Sequence, residues 1–108
     1  TLPLVESIRL YSIKHKIIKT STFDRLEELN RLKVLTDDET DFFKNAHRFM
    51  SSILLQNQVE RKRQGLPIKN FINPKLLLER EKKVLKIYLK KIKELKQRVR
   101  VDIGEEYF

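Results

Sequence analysis

The hydrophobic positions in the first third of the chain recur at steps of three and four residues, the period of an amphipathic α-helix. One such face spans residues 3–18, and its members are Leu4, Ile8, Tyr11, His15 and Ile18. A second face follows over residues 22–34, after Ser21 or Thr22, either of which can cap a helix. The pattern therefore predicts two short helices, which end near residues 18 and 34.

Two longer helices are predicted in the rest of the chain. The sequence TDDE at 36–39 is typical of a capping box, in which the Thr36 and Glu39 side chains each accept a backbone N–H. A helix should run from there to about residue 64 and end at Gly65. After a loop, Asn73-Pro74 indicates a helix start, and the last helix is expected over about 75–100. Its predicted seam is Leu78, Glu81, Leu85, Tyr88, Ile92, Leu95 and Val99.

No strand pattern or solenoid repeat competes with this interpretation. The pattern predicts an all-α fold, an antiparallel up-and-down helical bundle of about four helices, two short and two long. We expect one domain over residues 1–101, followed by a C-terminal tail over 102–108.

Charge adds a possible class of partner. The net charge is +9, and residues 58–108 carry fifteen Lys or Arg against seven Asp or Glu, whereas residues 1–57 are nearly balanced. The excess is either a solvated helix face or a surface that attracts phosphate-bearing partners. Cysteine is absent, which excludes disulfides and thiolate metal sites. With no apolar run of membrane-spanning length, we expect a cytoplasmic protein. The first residue is Thr1, so we expect a piece of a longer protein.

No motif for catalysis is present in the sequence. The two histidines, His15 and His47, fall on different predicted helices, and no phosphate loop, H-E-x-x-H or G-x-S-x-G occurs. We therefore expect no catalytic residue and no metal site, and a chain that is non-catalytic alone.

The stretch QGLPIKNFINP at 64–74 has two interpretations. Asn70 and Asn73 can simply cap turns, since Asn side chains bond nearby backbone groups. Alternatively, the loop forms a pocket or docking face at one end of the bundle. Arg25 also has two interpretations, because a cation near the start of a helix is electrostatically unfavourable and should have a negatively charged partner. Its expected partner is a carboxylate such as Glu81, or a bound phosphate.

Several segments, in order along nearly the whole chain, carry a family resemblance. They are IRLYSIKHKI (Arg9, Tyr11, His15), TSTFDRLEEL (Thr22, Arg25, Leu26), NAHRFM (Ala46, Phe49), LLQNQ (Gln58), GLPIKNFINP (Gly65, Asn70, Ile72, Pro74) and EKKVLK (Glu81, Leu85, Lys86). Together they resemble the nucleotidyltransferase substrate-binding domain, the helical C-terminal module of uridylyltransferase-like nucleotidyltransferases. In such proteins CBS and cyclic-nucleotide-binding domains often lie upstream. Relatives usually have Arg, His and Asp where this chain has Leu54, Asn57 and Asn73.

The resemblance implies an accessory domain, substrate-binding or regulatory, in a bacterial signal-transduction nucleotidyltransferase. It would position an acceptor, a protein or a small molecule, beside a catalytic domain outside this chain, and that domain would hold Mg²⁺ and a nucleoside triphosphate. The substrate-binding residues implied are Arg25, His15, Gln58 and Asn70. A basic helical module that binds nucleic acid and a purely structural dimerisation bundle are the alternatives. The charge favours nucleic acid, but the aromatic residues follow core periods, which makes it the weaker alternative.

Overall fold

The computed structural model describes residues 3–69 and 72–104. Four α-helices form within these ranges, and a short 3-10 helix, Pro74–Leu76, precedes the last of them. The helices are α1 Pro3–Lys14, α2 Thr22–Arg31, α3 Asp37–Arg63 and α4 Glu79–Ile103. The part of the chain described contains no strand. The predicted all-α fold, with two short and two long helices, is confirmed.

Side-chain caps fix the helix starts. Ser21 accepts the Asp24 N–H at 3.1 Å and so begins α2. The capping box of α3 is complete: Thr36 donates its N–H to Glu39 Oε1 at 2.9 Å, and Glu39 donates its N–H to Thr36 Oγ1 at 3.1 Å. The capping box at Thr36 was predicted as it stands, and of the two caps that the sequence left open for α2, the structure uses Ser21 and not Thr22.

Two residues after the last residue of three helices, the chain takes the left-handed conformation, at Lys16 (φ 58), Lys33 (φ 60) and Gly65 (φ 73). In each, the next N–H bonds the carbonyl five residues earlier, which is the Schellman pattern. The bonds are Ile17 to Ser12 at 2.9 Å, Val34 to Leu29 at 2.9 Å and Leu66 to Arg61 at 2.8 Å. Because this closure comes early, α1 and α2 end four and three residues before the predicted positions.

The start of the last helix was predicted wrongly. Asn73 accepts the Lys75 N–H at 3.1 Å and caps only the 3-10 helix, so α4 begins at Glu79 rather than near residue 75. Leu78 is therefore the N-cap residue, 54% exposed, instead of a seam residue. Glu81 is explained by the same shift, because its carboxylate accepts the Leu78 N–H at 2.9 Å. At the other end, α4 runs to Ile103, three residues further than predicted.

The core lies where α1 and α2 pack against the first half of α3 and the second half of α4. Its buried members are Leu4, Ile8, Tyr11, Leu26, Leu29, Leu35, Phe43, Ala46, Met50, Ile92, Leu95 and Val99. Beyond Met50 on α3, the two long helices continue as a hairpin, whose Ile72 packs against this cluster. We call residues 54–69 and 72–83 the distal hairpin, where Asn57 and Leu77 are the buried residues described.

At the end of the molecule away from the distal hairpin, polar contacts connect α4 with α3 and with α1. Arg98, near the end of α4, bonds Glu39 in the first turn of α3 at 2.8 Å. This contact is compatible with an antiparallel pairing of α3 and α4. The Tyr11 hydroxyl and Lys14 Nζ, in the last turns of α1, donate to the Asp102 side chain and backbone carbonyl. The up-and-down order of all four helices stays a prediction.

Candidate functional site

A groove opens between the first turns of α3 and the second half of α4. Its volume is about 370 Å³, which is within the range of small-molecule sites. We call it the α3–α4 groove, and its lining residues are Asp38, Glu39, Phe42, Phe43, Lys91, Glu94, Leu95 and Arg98. Two phenylalanines and a leucine give it an apolar wall, and three carboxylates and two cations surround that wall.

Arg98 is the most connected side chain of the groove. Its guanidinium donates to Glu39 Oε2 at 2.8 Å and to the carbonyl of Val34, just before α3. The same guanidinium lies over the Tyr11 ring, 5.9 Å from the centroid. Contacts with three separate segments hold this cation in one position, as a preorganised binding group requires.

Glu39 is held in its charged form. Burial disfavours that form, but hydrogen bonding by Thr36 and the charge of Arg98 outweigh it and lower the pKa of Glu39 below its ordinary value of 4.5. Elsewhere in the groove lining, Lys91 Nζ lies 3.4 Å from Glu94 Oε2, and both side chains are more than half exposed. The groove therefore offers one fixed ion pair and one adaptable ion pair.

Aromatic rings supply the apolar wall. Phe42 lies edge-on to Phe43 at 5.6 Å between centroids, and edge-on to Tyr88 at 5.2 Å. Phe42 is partly exposed while Phe43 is buried, so part of the Phe42 surface remains accessible. An apolar or planar group could lie on this wall while charged groups at its ends meet the rim.

Of the four residues implied by the resemblance, the three that the structure describes fall in two places, and neither is the groove. His15 lies in the connection between α1 and α2, and Arg25 lies near the start of α2. His15 is half-buried, with its ring edge-on to Tyr11 at 5.6 Å. Arg25 Nε donates to the Lys19 carbonyl at 2.9 Å and so fastens this connection. The expected pairing of Arg25 with Glu81 is wrong, because the Glu81 carboxylate caps α4 instead.

Gln58 lies on the distal hairpin, eleven residues and about 16 Å along the helix axis from His47, which packs against α2. Its Nε2 donates to the Lys69 carbonyl at 3.4 Å, and Arg61 Nε donates to the Pro67 carbonyl at 2.5 Å. These bonds tie loop residues 65–69 to α3. Asn70 lies outside the described residues.

Asn57 is the unusual polar residue of the distal hairpin. It is only 7% exposed, and its Nδ2 has no hydrogen-bond partner among the described residues. Asn57 follows Met50 and Ile53 at steps of three and four, so it lies on the face of α3 that is buried nearer the core. A buried donor without a partner costs stability.

The described ranges contain no group of three or more His, Cys, Asp or Glu side chains placed to hold a metal ion. Within the same ranges, no helix combines the length and the apolar character of a membrane span.

The groove could not be found from the sequence. Arg98 and Glu39 are 59 residues apart, and Arg98 stands in a run of cations that reads as a solvated helix face. The sequence pattern nearest to the groove is the capping box, and that box accounts for a glutamate at position 39 without any partner on α4. What tertiary packing adds is a second partner for the same carboxylate.

Comparison with known proteins gives one result. A model of the family described as "putative nucleotidyltransferase substrate binding domain" matches residues 1–103. Searches among curated proteins and among solved structures each gave no match. Since the family model spans nearly the whole chain, this protein belongs to the family of putative nucleotidyltransferase substrate-binding domains.

Proposed function

We propose that the chain is the accessory substrate-binding module of a nucleotidyltransferase and that the α3–α4 groove holds part of the acceptor. The observation that carries this is the position of Arg98, fixed by Glu39, by the Val34 carbonyl and by the Tyr11 ring at the edge of an apolar wall. A cation fixed beside accessible aromatic surface favours a ligand with an apolar or planar body and an anionic group.

The mechanism proposed is positioning. The groove would hold the acceptor in one orientation beside a catalytic region, which would supply Mg²⁺ and the nucleoside triphosphate. Holding two reactants in the correct geometry accelerates their reaction without any chemical step in this chain. Lys91 and Glu94 would adapt to the acceptor, since their exposed ion pair costs little to open.

The wider setting is also a proposal, and it rests on the resemblance. It comprises a cytoplasmic bacterial signal-transduction protein, a catalytic domain in the same full-length chain, and upstream CBS and cyclic-nucleotide-binding domains. The acceptor would be a small molecule or a segment of another protein.

The test is a thermal-shift screen of the 108-residue chain against nucleotides, amino acids, phosphorylated metabolites and short nucleic acids. A ligand that binds only the folded state raises the unfolding temperature by mass action. The groove assignment requires that Lys91→Ala and Glu94→Ala reduce the shift, whereas Lys90→Ala, an exposed neighbour outside the groove, leaves it unchanged.

A second set of variants compares the groove with the residues implied by the resemblance. If Gln58→Ala or Arg25→Ala abolishes the shift and Lys91→Ala does not, the ligand binds away from the groove and the assignment is wrong. Asn70→Ala belongs to this set as well. Stabilisation by unrelated DNA duplexes alone, lost between 0.1 and 0.5 M salt, would instead support the nucleic-acid alternative.

A further inference from the structure

The outer side of α3 is covered by α2 for only part of its length. Phe23, the second residue of α2, lies edge-on to His47 at 5.3 Å and below the Arg48 guanidinium at 4.9 Å. One turn earlier, Lys44 pairs with Glu27. Contacts at positions 44, 47 and 48 mark one face of α3, and Arg48 is the furthest of these three along the helix.

The same face continues beyond α2 and becomes apolar. Leu55 follows Arg48 by seven residues, and Val59 follows Leu55 by four, so both lie on the line that α2 covers earlier. Leu55 is 60% exposed and Val59 is 53% exposed. Single exposed apolar residues need no explanation, but an apolar stripe that continues a buried face indicates a docking surface.

The end of α3 supplies a second, independent sign. In a Schellman motif, the residue after the left-handed position normally makes a hydrophobic contact with the helix. At the ends of α1 and α2 this residue, Ile17 or Val34, packs against the core. At the end of α3 it is Leu66, which stays 44% exposed. We group Leu66 and Ile68, which is 58% exposed, with the two exposed residues of α3 and call the set the distal apolar surface: Leu55, Val59, Leu66 and Ile68.

Charge decides which occupant fits. The distal hairpin carries eight Lys or Arg residues and three carboxylates. All three carboxylates are already bonded within the hairpin: Glu60 to Gln64 at 2.9 Å, Glu79 to Lys82 at 3.2 Å and Glu81 to the Leu78 N–H at 2.9 Å. A second copy of this surface would bring two strongly basic borders together, which disfavours a symmetric dimer. A partner with an acidic border is favoured instead.

We infer that the distal apolar surface docks onto the nucleotidyltransferase catalytic region through an apolar patch bordered by Asp and Glu residues. This rests on the proposed function, which supplies the partner, while the surface and its chemistry come from the geometry above. Docking there leaves the α3–α4 groove, at the opposite end of α3, open for the acceptor.

The experiment measures binding between the 108-residue chain and the separately produced catalytic region of the natural protein, by calorimetry at 0.1 M salt. The double variant Leu55→Ser/Val59→Ser should weaken binding by about tenfold or more, because desolvated apolar contacts at an interface centre dominate affinity. The matched control is Val101→Ser, an exposed apolar residue on α4. Circular dichroism verifies that each variant folds.

Two experiments test the role of charge. Lys62→Glu should weaken binding, and raising the salt concentration to 0.5 M should reduce the affinity of the unaltered chain. Unchanged affinity in the Leu55/Val59 variant, or equal losses in that variant and Val101→Ser, would overturn the inference. So would a dimer of the isolated chain, seen by light scattering, that the same double variant dissociates. Ligand-induced thermal shifts should be normal in the double variant, so failure of docking and failure of substrate binding are distinguishable.

Discussion

Replacing Arg98 by alanine should destabilise the fold measurably, since this residue connects α4 to both the α3 start and α1. Its pair with Glu39 involves side chains that are 39% and 36% exposed, so solvent screening limits that contribution to about 0.5–1 kcal/mol. The charged bond to the Val34 carbonyl adds about 1.5 kcal/mol, and the position over the Tyr11 ring adds about 0.5–1 kcal/mol. Because such contributions are not additive, we expect a total of about 2–3 kcal/mol.

The assay is urea unfolding followed by circular dichroism. Arg98→Lys keeps the charge near Glu39 but loses the planar guanidinium, so it should lie between Arg98→Ala and the unaltered chain. Lys93→Ala, an exposed position on the same helix, is the control and should change stability by less than about 0.5 kcal/mol.

A double-mutant cycle with Glu39→Gln isolates the pair itself. The pKa of Glu39 is lowered in the folded state, so its contribution is fully present above about pH 4.5 and is lost as the pH falls through the folded pKa. That loss should be smaller in Arg98→Ala. If Arg98→Ala is within 0.5 kcal/mol of the unaltered chain, the assigned contacts do not hold the guanidinium and the account of the groove is wrong.

Three further predictions test separate features. Lys33→Gly should stabilise the fold by about 1 kcal/mol in urea unfolding, because glycine adopts the left-handed conformation without steric cost; a loss of stability would contradict the helix end described. Asn57→Leu should raise stability by about 1–3 kcal/mol by removing a buried donor that has no partner among the described residues, and no gain would show that the amide is satisfied. Burial and the hydrogen bond to Asp102 raise the pKa of Tyr11 to about 12. The contribution of the protonated Tyr11 hydroxyl to the stability of the fold is therefore present below pH 10 and is lost between about pH 10 and 12, and absorbance titration of the chain and of Tyr11→Phe checks this.

Local chemistry explains which parts of the fold were predictable. The caps at Ser21 and Thr36 depend only on residues three positions apart, and the periodic faces of α3 and α4 need no tertiary information. The ends of α1 and α2 were missed because Lys16 and Lys33 take a conformation usually given to glycine. Neither residue type carries a signal for it, so only the packing of Ile17 and Val34 against the core selects those positions.

The candidate site was harder to predict because it depends on long-range contacts. The resemblance directed attention to Gln58 and the loop after Gly65, where the structure shows side chains tied to loop carbonyls. The structure instead gives a groove around Arg98, a residue that nothing nearby in the sequence distinguishes from the surrounding cations. Which cation is fixed and which is solvated is decided by partners 59 and 64 residues away.

The most direct test of substrate binding in the α3–α4 groove is a two-dimensional amide NMR titration of the 108-residue chain with a ligand found by thermal shift. The account predicts that chemical-shift changes concentrate at Phe42, Lys91, Leu95 and the Arg98 side chain, while Leu55 and Val59 are unaffected. Changes confined to Gln58 and residues 65–69, or to His15 and Arg25, would place the ligand elsewhere and contradict the account.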